Sequence, residues 1–361
     1  LSFHCNLLCV NSIQDKSMSN HFWNVGAKNL SPMDNNRNKN KGRILIRPYR
    51  GVFFQKQNVN SYHPIIFSLP NLIYMNQLKG TGVALVTPFH DDYSIDFDGL
   101  KRLIDHVIDG GVDYLVVLGT TGETVTLSSS EKKQVLNACL EYNAGRVPVV
   151  YGMGGNNTMS VLSDIAATDF TGITAILSVS PYYNKPTQAG IIAHYKAIAD
   201  ACPVPVILYN IPGRTMSNIT AETTLSLAEH SNIIGMKEAS GNLEQCMQIA
   251  AKMPKDFLLV SGDDLMTKAL YSIGGSGIIS VMANALPATF KAMCHGSEAE
   301  SLKAAFSLLP LNHLMYEESN PVGIKNLLCH MRICDDQVRL PMLRASLGLN
   351  QRIKAEFQKL K

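Results

Sequence analysis

Short runs of apolar residues recur along the chain from Gly80 onward. The runs are nearly continuous in Val, Ile and Leu, a pattern typical of parallel strands that are covered on both faces. Eight such runs can be counted, and they predict the eight strands of a parallel sheet. They occupy residues 82–89, 113–120, 147–154, 174–181, 204–212, 232–239, 256–263 and 276–283.

The segments between these runs have the apolar spacing of amphipathic helices. From Leu100 to Ile108, apolar residues recur at positions i, i+3, i+4, i+7 and i+8, which predicts one face packed on a core. The next segment, 128–142, begins with Ser128 and Glu131 at the spacing of a capping box. Comparable helical patterns occupy residues 187–202, 219–230 and 241–253.

The alternation of eight strands with helices predicts an α/β fold, the (β/α)8 or TIM barrel, over residues 75–285. A doubly wound open sheet is the alternative, and it usually carries a Gly-rich nucleotide-binding turn. The stretch "GMGGNN" at 152–157 has Asn157 where G-x-G-x-x-G needs its last glycine. We expect residues 286–361 to form a C-terminal helical appendix packed on the barrel, and not an independent catalytic unit.

Residues 1–74 differ from the rest of the chain in charge and patterning. They contain nine basic and two acidic residues and no sustained helical or strand period, and the stretch 33–43 has the composition of a disordered segment. A basic nucleic-acid arm is an alternative, but regular aromatic interleaving is missing. We expect this extension to be dispensable or to be translated upstream sequence, with Met75 as the working start.

The remaining residues exclude several classes of protein. With 23 basic and 27 acidic residues, 75–361 offers no electrostatic footprint for nucleic acid. No apolar run reaches the roughly 18 residues of a membrane-spanning helix. The eight cysteines form no C-x-x-C pair and no metal-ligand spacing, so we expect reduced thiols, a cytoplasmic protein and no metal site.

Polar residues follow the predicted strands at their carboxyl ends. In a (β/α)8 barrel all these ends lie on one face, where active sites are found. The second run ends in "GTTGE" (119–123), the fourth in "SPYYNKP" (180–186), the fifth in "LYNIPGRT" (208–215), the sixth at Lys237 and the seventh in "SGDD" (261–264). Together they predict a small polar pocket in an apolar wall.

Lys237 indicates the chemistry of this pocket. A lysine in an apolar setting has a lowered pKa, and its neutral amine can attack a carbonyl to form a Schiff base. Tyr209, at the end of the adjacent strand, is placed for the proton transfers that follow, and Thr120 and a second tyrosine could relay protons. Arg214 could bind a carboxylate through its bidentate fork. No cofactor is implied, because the iminium is itself the electron sink.

Asp263 and Asp264 are the other ionisable residues at this face. They could ligate a metal, but no third carboxylate or histidine ends a nearby strand, so we expect them to cap the helix that follows.

From residue 79 to the end, the chain resembles the pyruvate-dependent class I aldolase family that includes dihydrodipicolinate synthase and N-acetylneuraminate lyase. The motifs "GTTGE", "PYYNKP", "LYNIPGRT" and "GMKEASG" occur in the family's order, each at the end of a predicted strand. The resemblance covers none of the extension. It implies the barrel fold and condensation of pyruvate with L-aspartate 4-semialdehyde to 4-hydroxy-tetrahydrodipicolinate, a lyase reaction on the route to diaminopimelate and lysine.

The resemblance also implies roles for catalytic residues. Lys237 would form the Schiff base with pyruvate, Tyr209 would act as general acid and base, and Thr120 and Tyr183 would complete a proton relay. In the family, the tyrosine that matches Tyr183 reaches into the neighbouring subunit's site. This implies a homo-oligomer, usually a homotetramer built as a dimer of dimers.

The substrate-binding residues follow from the same resemblance. Thr121 would bind the carboxylate of pyruvate, and Arg214 would hold that of aspartate semialdehyde. Gly262 and Ile279 would line the pocket.

Two alternatives of function remain. An N-acetylneuraminate or keto-deoxy-sugar acid aldolase keeps the same lysine and tyrosine, but neuraminate lyases typically have G-S-T-G-E at the turn and lack the arginine after Y-x-I-P. The presence of Thr120 and Arg214 favours the synthase. A barrel that has lost catalysis and acts as a sensor or scaffold is the other alternative.

A further expectation concerns feedback by lysine. Family members that lysine inhibits bind it partly through a glutamate early in the third helix. Here Asn156 and Tyr182 match that site, but Ser160 replaces the glutamate, and Ser129 and Lys132 stand where histidines often occur. The resemblance therefore implies weak or absent inhibition by lysine.

Overall fold

A computed structural model describes residues 76–359, and the predicted extension, 1–74, lies outside them. Eight parallel strands form a closed barrel in which each strand pairs with its neighbours in sequence, and the first pairs with the last. The strands are β1 (Gly80–Ala84), β2 (Tyr114–Val117), β3 (Val149–Gly152), β4 (Ala175–Val179), β5 (Val206–Asn210), β6 (Ile233–Glu238), β7 (Leu258–Ser261) and β8 (Gly277–Ser280). The predicted (β/α)8 barrel is confirmed.

The observed strands are shorter than the apolar runs that predicted them. In the first run, the strand begins at Gly80, before the predicted start, and ends at Ala84. Leu85, Val86 and Phe89 leave the strand but stay buried in the outer core. The apolar run in the sequence is therefore longer than the strand, because the loop that follows the strand is also buried.

Helices connect the strands on the outside of the barrel. Ser128 starts the second of them as predicted: its Oγ accepts from Glu131 N at 3.3 Å, and Glu131 Oε2 accepts from Ser128 N at 2.8 Å. The helices are α1 (Phe97–Asp109), α2 (Ser129–Asn143), α3 (Thr158–Ala167), α4 (Gln188–Ala201), α5 (Pro212–Thr215), α6 (Ala221–Ala228), α7 (Leu243–Ala250) and α8 (Thr267–Ser272).

The core has an inner and an outer layer. An inner cluster receives side chains from all eight strands, among them Val116, Ile207 and Ile279. Two larger clusters pack the other faces of the strands against the helices. This filled interior supports the carboxyl rim from below, as the fold requires.

Five helices follow the last strand, within the described residues. They are α9 (Pro287–His295), α10 (Glu298–Ser307), α11 (Leu309–Tyr316), α12 (Val322–His330) and α13 (Leu347–Lys359). Leu311 and Leu327 join the same outer cluster as Leu85 and Phe89, so this helical appendix packs on the barrel. Between residues 76 and 359, none of the helices combines the length and the apolarity that crossing a membrane requires.

Candidate active site

The carboxyl ends of the strands open into a cavity of about 240 Å³. Its wall combines residues that follow β2, β5, β6 and β7 with residues of the helical appendix. Six of the predicted site residues line it: Thr120, Thr121, Tyr209, Arg214, Lys237 and Gly262.

Lys237 lies within β6, one residue before its end, and is 5 % exposed. Burial lowers the pKa of its ammonium to about 8, because desolvation disfavours the charged form. Asp264 opposes this change by attraction, whereas Arg214 adds to it by repulsion. The amine is therefore neutral in a substantial fraction of molecules near pH 8, which is the form that attacks carbonyls.

Tyr209 is the partner of Lys237 in the pairing of β5 with β6. The Nζ of Lys237 lies 4.4 Å from the centroid of the tyrosine ring. Burial raises the pKa of Tyr209 to about 12, while Arg214 and a hydrogen bond with Thr120 act in the opposite direction. The phenol is thus held in its protonated form beside the amine.

Glu238 fixes the end of β6 next to the lysine. It is 4 % exposed and accepts hydrogen bonds from Asn210 Nδ2 at 3.0 Å, Ser240 N at 2.7 Å and Gln245 Nε2 at 2.8 Å. These contacts join β6 to β5 and to α7, so the backbone that carries Lys237 is held on both sides.

The turn at 119–123 brings Thr120 and Thr121 to the cavity through a short 3-10 helix, Thr120–Gly122. Thr120 hydrogen-bonds Tyr209. Thr121 is 3 % exposed, and its Oγ1 accepts from Asn320 Nδ2 at 3.0 Å.

Gly262 allows close approach to the lysine. A Cβ at this position would lie 2.9 Å from Lys237 Cε and 2.5 Å from Ala239 Cβ. Any larger residue would therefore displace the side chain of Lys237.

The structure places two predicted residues elsewhere. Ile279 is fully buried in the inner cluster and does not line the cavity, to which Val281 contributes after the end of β8. Tyr183 also does not line it; the residue is 87 % exposed, and its backbone has a left-handed φ of 74°.

The helical appendix contributes residues that the sequence did not indicate. Asn312, Tyr316 and Asn320 line the cavity opposite the strand ends. The side-chain oxygens of the two asparagines are buried without a hydrogen-bond partner among the described residues. No periodic pattern could reveal them, because they reach the site from a distant part of the chain.

Asp264 corrects the expectation that it caps the following helix. It is 2 % exposed, and its Oδ2 accepts from Tyr316 Oη at 3.1 Å and Met282 N at 3.2 Å, while Oδ1 has no partner among residues 76–359. Burial raises its pKa. Helix α8 has Met266 at its N-cap and no side-chain cap bond.

Asp263 also does not cap α8. It holds the turn before the helix instead, where its Oδ1 accepts from Leu265 N at 2.9 Å and Met266 N at 3.3 Å.

Comparison with known proteins places this arrangement in a family. The model of the Dihydrodipicolinate synthetase family matches residues 77–360. The chain is 49 % identical over 290 residues to 4-hydroxy-tetrahydrodipicolinate synthase of Cytophaga hutchinsonii, covering 79 % of this chain and 98 % of that protein. It is 46 % identical over 284 residues to the synthase of Flavobacterium psychrophilum, with 77 % and 97 % covered. The crystal structure of dihydrodipicolinate synthase from Thermotoga maritima superposes with a TM-score of 0.76 at 32 % identity, covering 78 % and 98 %.

Proposed function

Since the chain belongs to the dihydrodipicolinate synthetase family, we propose that it is a lyase that condenses pyruvate with L-aspartate 4-semialdehyde. The product is 4-hydroxy-tetrahydrodipicolinate, on the route to diaminopimelate and lysine. The observation that carries the proposal is the pairing of a buried, readily deprotonated Lys237 with a protonated Tyr209 beside it.

The reaction begins at Lys237. Its neutral amine adds to the keto carbon of pyruvate, and loss of water with uptake of one proton leaves an iminium. Loss of a proton from the methyl carbon gives an enamine, which attacks the aldehyde carbon while Tyr209 donates a proton to the aldehyde oxygen, so that this oxygen becomes a hydroxyl. The amino group of the second substrate then adds to the iminium carbon, closes the ring and displaces the lysine. The electron sink is the iminium, so the proposal requires no cofactor.

The other residues bind substrates and move protons. Thr120 passes protons to and from Tyr209 through their hydrogen bond, and Thr121 binds the carboxylate of pyruvate. Arg214 binds the carboxylate of the semialdehyde, and its position in the cavity wall supports this role. Gly262 leaves space for Lys237, and Ile279 supports the pocket from the inner cluster.

We further propose a cytoplasmic homotetramer, arranged as a dimer of dimers. The proposal that Tyr183 completes the relay in a neighbouring subunit is supported by its 87 % exposure outside its own cavity. The six cysteines of the described residues are free thiols, which supports a reducing compartment.

A paired substrate assay on the full chain tests the function. We expect turnover of pyruvate with aspartate semialdehyde and none of pyruvate with N-acetylmannosamine. Turnover of only the second pair would establish a sugar-acid aldolase instead.

Borohydride reduction in the presence of pyruvate tests the covalent step. We expect a stable adduct on Lys237 by peptide mass spectrometry, lost in Lys237→Arg and retained in the control Lys255→Arg, which changes an exposed lysine. A wild-type chain with no turnover and no adduct would indicate a scaffold.

A further inference from the structure

A lysine and a glutamate form a fully buried ion pair behind the cavity. Lys325, on α12 of the helical appendix, places its Nζ 2.6 Å from Oε1 of Glu123, the last residue of the turn at 119–123. Both side chains are 0 % exposed. The pair thus links the helical appendix to the turn that carries Thr120 and Thr121.

Both charges have further partners. Lys325 Nζ donates to Gln337 O at 2.7 Å and lies 4.2 Å from the centroid of the Phe89 ring. The second carboxylate oxygen, Glu123 Oε2, accepts from Arg339 N at 2.9 Å. The carboxylate is therefore clamped between two segments of the helical appendix.

A second contact reaches the same turn from the same part of the appendix. Asn320, shortly before α12, donates from Nδ2 to Thr121 Oγ1 at 3.0 Å. On the barrel side, Thr87 Oγ1 donates to the carbonyl of Gly122 at 2.7 Å. The turn is thus fixed at three successive residues, Thr121, Gly122 and Glu123, whereas Thr120 is left to contact Tyr209.

Stability alone does not explain a buried ion pair. Removing two charges from water is costly, and well-packed neutral residues of similar size often stabilise a protein equally well. Such a pair does supply a directional, charge-assisted hydrogen bond that fixes the relative position of two segments. Here those segments are a loop of the proposed active site and the helix behind it.

We propose that Lys325, acting through Glu123, is a positioning residue that sets the place of Thr120 and Thr121 relative to Tyr209 and Lys237. The effect on catalysis rests on the proposed function, whereas the position of the turn can be measured independently of it. Misplacement of a relay or binding group by about 1 Å can reduce a rate by about a hundredfold.

The test compares a single with a double variant. Lys325→Met leaves the carboxylate of Glu123 buried without its countercharge, with only the hydrogen bond from Arg339 N, and we expect it to lower the midpoint of thermal unfolding. The double variant Lys325→Met/Glu123→Gln removes both charges and keeps an oxygen for Arg339 N, so we expect its midpoint to return close to that of the wild type. The control is Lys268→Met/Glu298→Gln, which removes a partly exposed ion pair of 2.5 Å between α8 and α10.

Two measurements on the folded double variant decide the inference. We expect amide hydrogen exchange in peptides covering 119–123 to be about tenfold faster than in the wild type and the control. We also expect kcat/KM for pyruvate to fall about ten- to a hundredfold, with a larger solvent isotope effect on kcat and less than a threefold change in KM for the semialdehyde.

A purely structural pair would give other results. Wild-type exchange in the turn together with kcat/KM within twofold of the wild type would overturn the inference. If the wild type does not turn over the two substrates, the proposed function fails, while the exchange measurement still decides whether Lys325 positions the turn.

Discussion

Lys237 and Tyr209 are register partners on adjacent parallel strands, with the lysine Nζ 4.4 Å from the centroid of the tyrosine ring. Burial affects the two residues in opposite directions: it lowers the pKa of the lysine to about 8 and raises that of the tyrosine to about 12. Desolvation favours the neutral form of each group. Between these pH values, a neutral amine and a neutral phenol coexist side by side, which is the combination that Schiff-base chemistry requires.

Tyr209→Phe removes the phenol and keeps the ring. We expect kcat to fall by about 10²- to 10⁴-fold, because proton transfer loses its donor. The borohydride adduct with pyruvate should still form, since the amine of Lys237 remains. The measurement is steady-state kinetics, and the control is Tyr142→Phe, a change on the outer helix α2. A kcat of Tyr209→Phe within threefold of the wild type would contradict the role of Tyr209.

The lowered pKa of Lys237 predicts a pH dependence for adduct formation. Below pH 8 the ammonium form dominates and cannot attack a carbonyl, so the rate of trapping pyruvate should fall about tenfold for each further pH unit. Above pH 8 the rate should reach a plateau, because the amine is then mostly neutral. The measurement is the initial rate of borohydride-trapped adduct from pH 6 to 9, and a flat profile would show that the lysine is not the titrating nucleophile.

Asp264→Asn should move that profile to lower pH. The carboxylate attracts the ammonium of Lys237 and so raises its pKa, and its removal should therefore lower the pH at the midpoint of the profile. Asp263→Asn is the matched control, because this neighbour lines the cavity and holds a turn without acting on the pKa of the lysine. Equal shifts in both variants would argue against a specific effect of Asp264.

Ser160 predicts weak feedback by lysine. It is exposed in the first turn of α3, near Asn156, whose Nδ2 donates to Tyr182 O at 3.0 Å. A serine offers no negative charge to an ammonium group, so we expect millimolar L-lysine to reduce the rate by less than half. Ser160→Glu should increase this inhibition several-fold, whereas Ser163→Glu on the same helix should not. Strong inhibition of the wild type by micromolar lysine would refute the prediction.

The barrel and most of the proposed site could be predicted from the sequence because both follow from local patterns. Parallel strands covered on both faces read as apolar runs, and the fold gathers the residues after them at one rim. Lys237, Tyr209 and Thr120 each stand near the carboxyl end of such a run, and the structure brings all three to one cavity.

The remaining parts depend on contacts between distant segments. Asn320 reaches Thr121, and Lys325 reaches Glu123, across about half of the chain, and neither contact leaves a periodic trace in the sequence. Asp264 is of a residue type that is common at helix N-caps and stands just before a helix, but its side chain accepts a hydrogen bond from Tyr316, a residue of the helical appendix. Ile279 was expected at the cavity, but it lies within β8 and is buried in the inner cluster, whereas Val281, which follows the end of the strand, lines the cavity.

The position of the helical appendix in the cavity wall has a consequence for synthesis on the ribosome. A nascent chain that has just completed β8 already contains Lys237, Tyr209 and Arg214, but it lacks Asn312, Tyr316 and Asn320. The reactive amine therefore exists before its enclosure does. The wall of the cavity is complete only once the segment from Asn312 to Asn320 has been synthesised and has packed on the barrel.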